Sequence, residues 1–141
     1  MPTGYIYDNK LVKFPFGIAR KIELHLYPCV YISDIFVKPS VVLQKLEYDI
    51  SICNSSAKDM NIILRSNLSE WNENKSFKYP IIKDVSKTLK AKSITNISVS
   101  VPWTLGLDSY WWPNIPFNKD YLATLHYLNL AIVSNNKIID N

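Results

Sequence analysis

Glycine, cysteine and histidine are scarce in this sequence, and each scarcity excludes a class of site. Only three glycines occur among 141 residues, which excludes a glycine-rich loop that cradles a phosphate. The two cysteines and two histidines have no partner at the spacing of a zinc site. We therefore expect neither a metal nor a cofactor.

Long apolar runs and clusters of one charge are also missing. No run is long enough to span a bilayer, and residues 1–10 contain no apolar core of a signal peptide. The formal net charge is +4, and the basic residues are interleaved with acidic ones. We therefore expect no membrane or nucleic-acid partner. The compartment stays open: the chain is either cytosolic or a piece of something longer.

The two cysteines, Cys29 and Cys53, each stand at the end of an apolar run. This position favours two buried free thiols. A disulfide stays open at this stage, because pairing depends on which strands are adjacent.

Alternation of apolar and polar residues predicts an all-β protein. It is clearest in residues 46–53 and 94–101, and no segment has a helical period over three turns. The regular spacing of short strands predicts one β-sandwich from about residue 30 to residue 139. The other expected strands are residues 20–27, 30–38, 60–68, 77–85, 121–133 and 137–139.

Turn residues and breaks in the alternation predict how these strands are joined. The pattern slips near Asp34, which indicates a β-bulge, and Asn135-Asn136 is typical of a two-residue turn. Residues 54–59 have turn chemistry, so we expect the strands on either side to form a hairpin. Residues 87–93 are polar and basic, and we expect a connector there.

A tryptophan-rich loop is the most distinctive feature. Residues 102–117 contain three of the four tryptophans and three of the eight prolines, which favours a rigid, extended loop. Trp103, Trp111 and Trp112 are the candidate site residues. They could plug one end of the sandwich, stack on a sugar or another flat ligand, or dock on a neighbouring domain. We favour the plug, with Trp103 in that role because it follows a strand that ends at Val101.

Four segments, in their order and spacing, resemble the immunoglobulin-like domain of glycoside hydrolase family 2. That family includes β-galactosidases, β-glucuronidases and β-mannosidases. The likeness extends from about Phe14 to Asp140. The four segments are Gly-Ile-Ala-Arg-Lys-Ile-Glu-Leu (17–24), Val-Tyr-Ile-Ser-Asp-Ile-Phe-Val-Lys-Pro-Ser (30–40), Tyr-Asp-Ile-Ser-Ile-Cys-Asn-Ser-Ser (48–56), and Trp-Trp-Pro-Asn-Ile-Pro-Phe (111–117) with Tyr-Leu-Ala-Thr-Leu (121–125).

The resemblance implies an immunoglobulin-like β-sandwich at residues 29–141, preceded by an arm at residues 1–28 that ends a sugar-binding jelly roll. The implied partners are the neighbouring domains of a larger glycosidase, with carbohydrate and self-association through the arm as further candidates. The sequence departs from the family at Ala19, where an aromatic residue is common, and in the extra length at residues 118–120.

The resemblance implies no catalysis by this chain. Family members cleave O-glycosidic bonds with two carboxylates on a (β/α)8 barrel, which needs about 250 residues. Asn72-Glu73 spells the family's acid/base pair, but we reject this match because it falls in a polar loop of the expected sandwich. The parent enzyme would be periplasmic or secreted if it is bacterial.

Four Asn-X-Ser sequences could accept a glycan in a eukaryotic secretory pathway. They begin at Asn54, Asn67, Asn74 and Asn96. In a chain rich in asparagine and serine such sequences also arise by chance.

Overall fold

The computed structural model describes residues 24–71, 76–111 and 124–141. The described residues form seven β-strands and one short 3₁₀ turn, Leu107–Ser109. None of them forms a helix that could cross a membrane. The strands are β1 (Val30–Ser40), β2 (Lys45–Asn54), β3 (Met60–Glu70), β4 (Val85–Leu89), β5 (Ser93–Pro102), β6 (His126–Ser134) and β7 (Lys137–Asp140).

The strands form two antiparallel sheets packed face to face. One sheet has the order β1-β2-β5 and the other the order β4-β3-β6-β7. The predicted all-β, immunoglobulin-like sandwich is therefore confirmed. The fourth strand pairs with β3 in the larger sheet, whereas in a constant-type immunoglobulin domain it joins the sheet of the first two strands.

The core lies between the sheets and is supplied by alternate residues of the central strands. Tyr48, Ile50 and Ile52 of β2 are fully buried against Leu64 of β3 and Ile132 of β6. Burial of each such side chain stabilises the fold by about 1.5–3 kcal/mol. This period-two burial is what the alternation in residues 46–53 predicts.

The predicted hairpin between β2 and β3 is wrong. Strand β2 pairs with β1 and β5, whereas β3 pairs with β4 and β6. The chain therefore crosses from one sheet to the other after Asn54. Its side-chain amide is buried and donates to the carbonyl oxygens of Lys58, at 2.9 Å, and Lys90, at 3.0 Å. These bonds fix a crossover where the turn residues alone favour a hairpin.

Two predicted strands differ from the structure. Residues 76–84 form no strand; β4 starts at Val85, the last residue of the expected strand, and ends at Leu89, inside the stretch 87–93 expected to be a connector. Pro80 lacks the N–H that a ladder needs. Of the expected strand at 20–27, residues 20–23 lie outside the described part, and residues 24–27 are not in a strand.

The irregular features of the strands match the sequence. A register shift between Ile32 and Asp34 confirms the bulge. Asn135 and Asn136 have φ of 49° and 60° and connect β6 to β7, which confirms the two-residue turn.

Both cysteines are free thiols, but the expectation that both are buried is wrong. Cys29 is exposed because it precedes β1, and Cys53 is partly buried. In the β1–β2 ladder Cys53 lies opposite Tyr31, while the carbonyl of Cys29 accepts a hydrogen bond from the backbone N–H of Ser55. Strand register therefore does not place the two thiols opposite each other.

Candidate docking site at one end of the sandwich

Trp103 anchors the loop that follows β5. Its backbone N–H donates to the carbonyl of Gln44 in the β1–β2 turn at 2.8 Å, and its indole Nε1 donates to Ser109 Oγ at 2.8 Å. The side chain is partly buried and packs against the core. Trp103 thus lies where the plug prediction places it, although it is not fully buried.

Ser109 holds the 3₁₀ turn in place. Its side chain is 2% exposed, and its hydroxyl donates to the Gly106 carbonyl at 2.6 Å while it accepts from Trp103. Gly106 has φ of 80° and ψ of −178°, a backbone conformation that essentially only glycine adopts. The loop path therefore depends on this glycine.

His126 joins the loop to β6. Its Nε2 lies 2.8 Å from the Ser109 carbonyl oxygen and its Nδ1 lies 2.6 Å from the Tyr79 hydroxyl. Because a carbonyl only accepts, Nε2 carries the proton, and in the neutral ring Nδ1 accepts from Tyr79. Both ring nitrogens are thus used within the protein, and the described residues contain no group of three potential metal ligands.

Three aromatic rings pack edge to face around this histidine, and together with it they form what we call the end cluster: Phe77, Tyr79, Trp103 and His126. The ring centroids of Trp103 and His126 are 5.0 Å apart, and those of Tyr79 and His126 are 5.6 Å apart. Burial, assisted by the charge of Glu70, raises the pKa of the Tyr79 hydroxyl. The end cluster closes this end of the sandwich.

The end cluster borders a cavity of about 340 Å³, the end cavity, which lies between β1 and β6. Its walls are mostly apolar and include Val37, Pro39, Leu46, Leu68, Trp103, Tyr110, Trp111, Leu125 and Leu128. The polar side chains in its lining bond to the protein itself. Thr124 Oγ1, for example, donates to the Asp108 carbonyl at 3.0 Å.

Large apolar side chains are exposed around the end cavity. Trp111 is 55% exposed, and Val42 and Leu43 project from the β1–β2 turn. Beyond the cavity lining, Trp71 packs at a tilted angle against Tyr127 with 4.8 Å between ring centroids, and both rings remain about half exposed. Such a concentration of exposed apolar surface is typical of a docking face.

The structure separates the predicted site residues. Trp103 belongs to the end cluster, and Trp111 lines the end cavity and faces solvent. Trp112 and the rejected Asn72-Glu73 pair lie outside the described residues. Sequence reasoning missed Tyr79 and Ser109, because no spacing relates them to His126, which is 47 and 17 residues away along the chain.

Comparison with known proteins supports the fold but finds no close relative. No protein-family model matches the sequence, and no curated protein matches it significantly. Among solved structures, a β-glucuronidase from glycoside hydrolase family 2 is similar, with a TM-score of 0.56 and 12% identity. The match covers 79% of this chain and 12% of that one. The chain therefore shares its fold with one part of a much longer glycoside hydrolase.

Proposed function

We propose that this chain is a non-catalytic immunoglobulin-like domain of a family 2 glycoside hydrolase. It would brace the enzyme's sugar-binding and catalytic domains, and the parent enzyme would hydrolyse O-glycosidic bonds. The likeness to the family 2 β-glucuronidase over 79% of the chain is the observation that carries this proposal. The four sequence segments that resemble the same family support it independently.

The apolar end of the sandwich supports the bracing role. A monomeric domain rarely leaves so many large apolar side chains exposed in one region. The side chains of Trp111, Val42 and Leu43 are exposed, and their burial against a neighbouring domain would be energetically favourable. A neighbour that docked here would also bury the mouth of the end cavity. Interfaces between domains of one chain commonly combine such apolar patches with a polar surround.

A stand-alone carbohydrate-binding module is the second candidate, favoured by the exposure of Trp111 at the cavity mouth. An exposed indole is a suitable surface for stacking on a sugar ring. Sugar recognition also needs polar groups that converge on the ligand. Here Ser109 and His126 bond to other parts of the protein, so domain docking is the better supported function.

The coding sequence beyond Asn141 tests the first proposal directly. We expect it to encode a (β/α)8 barrel of about 250 residues with two catalytic carboxylates. A stop codon immediately after Asn141 would contradict the proposal. As a companion assay, the purified chain should not hydrolyse aryl β-galactosides, β-glucuronides or β-mannosides.

Tryptophan fluorescence tests the second candidate. We expect no saturable change when the chain is titrated with galactosides, glucuronides or mannosides. The matched control is Trp111→Ala, which removes the exposed indole and leaves Trp103 in place. A saturable change in the original chain that disappears in this variant would establish carbohydrate binding at the loop.

A further inference from the structure

Strand β5 lies at an edge of the three-stranded sheet. Its ten residues, Ser93–Pro102, pair with β2 along their whole length, and the register has no shift. The strand order β1-β2-β5 leaves the other side of β5 without a neighbour among the strands that the structure describes. We call this side the β5 edge. It offers a regular row of backbone donors and acceptors to an additional strand.

The ladder with β2 determines which backbone groups point to the β5 edge. Trp103, directly after β5, donates its N–H to the Gln44 carbonyl at 2.8 Å. In an antiparallel ladder every second residue bonds to the same neighbour, so the odd-numbered residues of β5 bond to β2. The even-numbered residues therefore direct their backbone groups to the β5 edge. Those that have an N–H are Ile94, Asn96, Ser98 and Ser100.

The β5 edge lacks the features by which sheet edges avoid pairing with another chain. Edge strands of natural proteins commonly contain charged residues, proline or a bulge, or are very short. Strand β1, at the opposite edge of the same sheet, contains two charged residues and a proline, and its register shifts between Ile32 and Asp34. The edge strand β4 is five residues long and contains Lys87. In contrast, β5 has no charged residue and no bulge, and its only proline is its last residue.

The side chains of β5 favour a second copy of the same strand as the partner of this edge. Its outward-facing side chains are all uncharged, and Ile94 among them is 66% exposed. A two-fold axis brings the same surface of two copies together, so a neutral strand meets no like charge there. The charged side chains of β2 beside β5 are already paired, Asp49 with Lys38 at 2.6 Å and Glu47 with Lys45 at 2.8 Å.

We propose that two copies of this chain form a dimer in which the β5 edges pair antiparallel and the two sheets join into one. Addition of a strand to an exposed sheet edge supplies main-chain hydrogen bonds as the source of affinity. The two-fold axis passes at Ile97. Ile94 then lies opposite Ser100 of the other copy. Asn96 lies opposite Ser98 of the other copy, and each such pair exchanges two hydrogen bonds.

The position of Pro102 selects this register. Side chains that share a face must remain on that face, so the register can move only in steps that keep the alternation. An axis at Ser98 would place Pro102 opposite Ile94, and proline has no N–H to donate. An axis at Ile97 gives every N–H of the β5 edge a carbonyl partner.

Light scattering coupled to size exclusion tests this inference on the full chain at about 100 μM, because dimer population depends on concentration. We expect a dimer, and we expect Ser98→Pro to be a monomer with unchanged circular dichroism, since a sheet tolerates proline where the N–H faces away from the ladder. Ser98→Ala is the matched control and should remain dimeric. Both substitutions remove the hydroxyl that donates to Asp49 at 2.7 Å, but only proline removes the N–H.

Amide hydrogen exchange gives a second readout that needs no variant. Exchange in residues 93–102 should slow when the protein concentration is raised from about 1 μM to about 100 μM, whereas exchange in residues 30–40 should not change. A monomer at the higher concentration, a dimer that persists in Ser98→Pro, or slower exchange in β1 instead of β5 would overturn the inference. None of these results would affect the proposed function, which depends on the coding sequence and not on self-association.

Discussion

Asn54 connects several segments of the chain through one buried amide group. Its side-chain nitrogen donates to the carbonyls of Lys58, Leu89 and Lys90, at 2.9, 3.3 and 3.0 Å. Its oxygen accepts from the backbone N–H of Ser56 at 3.1 Å and from the Ser56 hydroxyl at 2.7 Å. The residue thus ties the crossover after β2 to the turn between β4 and β5.

We expect Asn54→Ala to lower the free energy of unfolding by roughly 2–4 kcal/mol, because it leaves several buried carbonyl groups without donors. Urea denaturation measures the effect. Asn96→Ala is the control, since Asn96 is exposed and accepts one surface hydrogen bond from Ser51; it should cost about 0.5 kcal/mol or less. Equal effects of the two substitutions would show that the buried network is not stabilising.

Trp103 and Trp111 should differ in their contribution to stability. Trp103→Ala removes a ring from the end cluster and should cost about 2–4 kcal/mol. Trp111→Ala removes a ring that is 55% exposed, so the cost should stay below about 1 kcal/mol. Urea midpoints of the two variants provide the measurement. A midpoint for Trp103→Ala close to that of Trp111→Ala would show that the loop does not plug the sandwich.

Sequence predicts the approximate place of Trp103 but not its partners. Trp103 follows an alternating strand directly, so its proximity to the core follows from local periodicity. The orientation of His126 depends on Tyr79, which comes from a segment with no regular structure. The burial of Asn54 depends on carbonyl groups more than 30 residues away along the chain. Neither arrangement leaves a local pattern.

The β6–β7 hairpin uses a turn in which both central residues have positive φ. Asn135 and Asn136 adopt 49° and 60°, and such turns favour Asn-Gly. We expect Asn136→Gly to raise the free energy of unfolding by about 0.5 kcal/mol, and Asn136→Ala to lower it by about 0.5–1 kcal/mol. Urea midpoints measure both. A lower midpoint for the glycine variant than for the alanine variant would contradict this account of the turn.

Strand existence is easier to predict than strand pairing. Alternation identifies β2, β3 and β5 because their inward residues are apolar. Whether residues 54–59 fold back or cross to the other sheet depends on tertiary contacts of Asn54, and turn residues alone do not distinguish the two. A side chain also links the edges of the two sheets: the Asp140 carboxylate of β7 accepts a hydrogen bond from the Ile32 N–H of β1 at 2.7 Å.

Acid should weaken the folded molecule through three surface carboxylates. A hydrogen-bonded lysine lowers the pKa of each: Lys38 for Asp49, Lys45 for Glu47 and Lys90 for Asp59. A group whose pKa is lower in the folded state stabilises the fold above its unfolded pKa, about 3.9 for aspartate and 4.3 for glutamate. This contribution is lost as the pH falls through the folded pKa.

We therefore expect the urea midpoint to fall as the pH is lowered below about 4. Each pair is exposed, so each individual effect should be small. Asp59→Asn should flatten part of the dependence, because the amide that replaces the carboxylate does not titrate in this range. Carboxylates of unfolded chains titrate near pH 4. A urea midpoint that stays constant from about pH 5 to about pH 2.5 would therefore contradict the expectation.

For the whole molecule, the fold class follows from sequence because a period of two dominates most of the chain. The boundary between an arm at residues 1–28 and a domain at residues 29–141 stays a prediction. Composition does not reveal which apolar residues remain exposed after the two sheets pack.

The burial of Asn54 has a practical consequence for the production of this protein. Its amide nitrogen, the atom that would carry a glycan, is enclosed and bonded to three carbonyl groups. A transferase in a eukaryotic secretory host can reach that atom only before the domain folds, and a chain modified there cannot then close its crossover. Glycan occupancy at Asn54, measured by mass spectrometry, would therefore give the fraction of molecules that were modified before they folded.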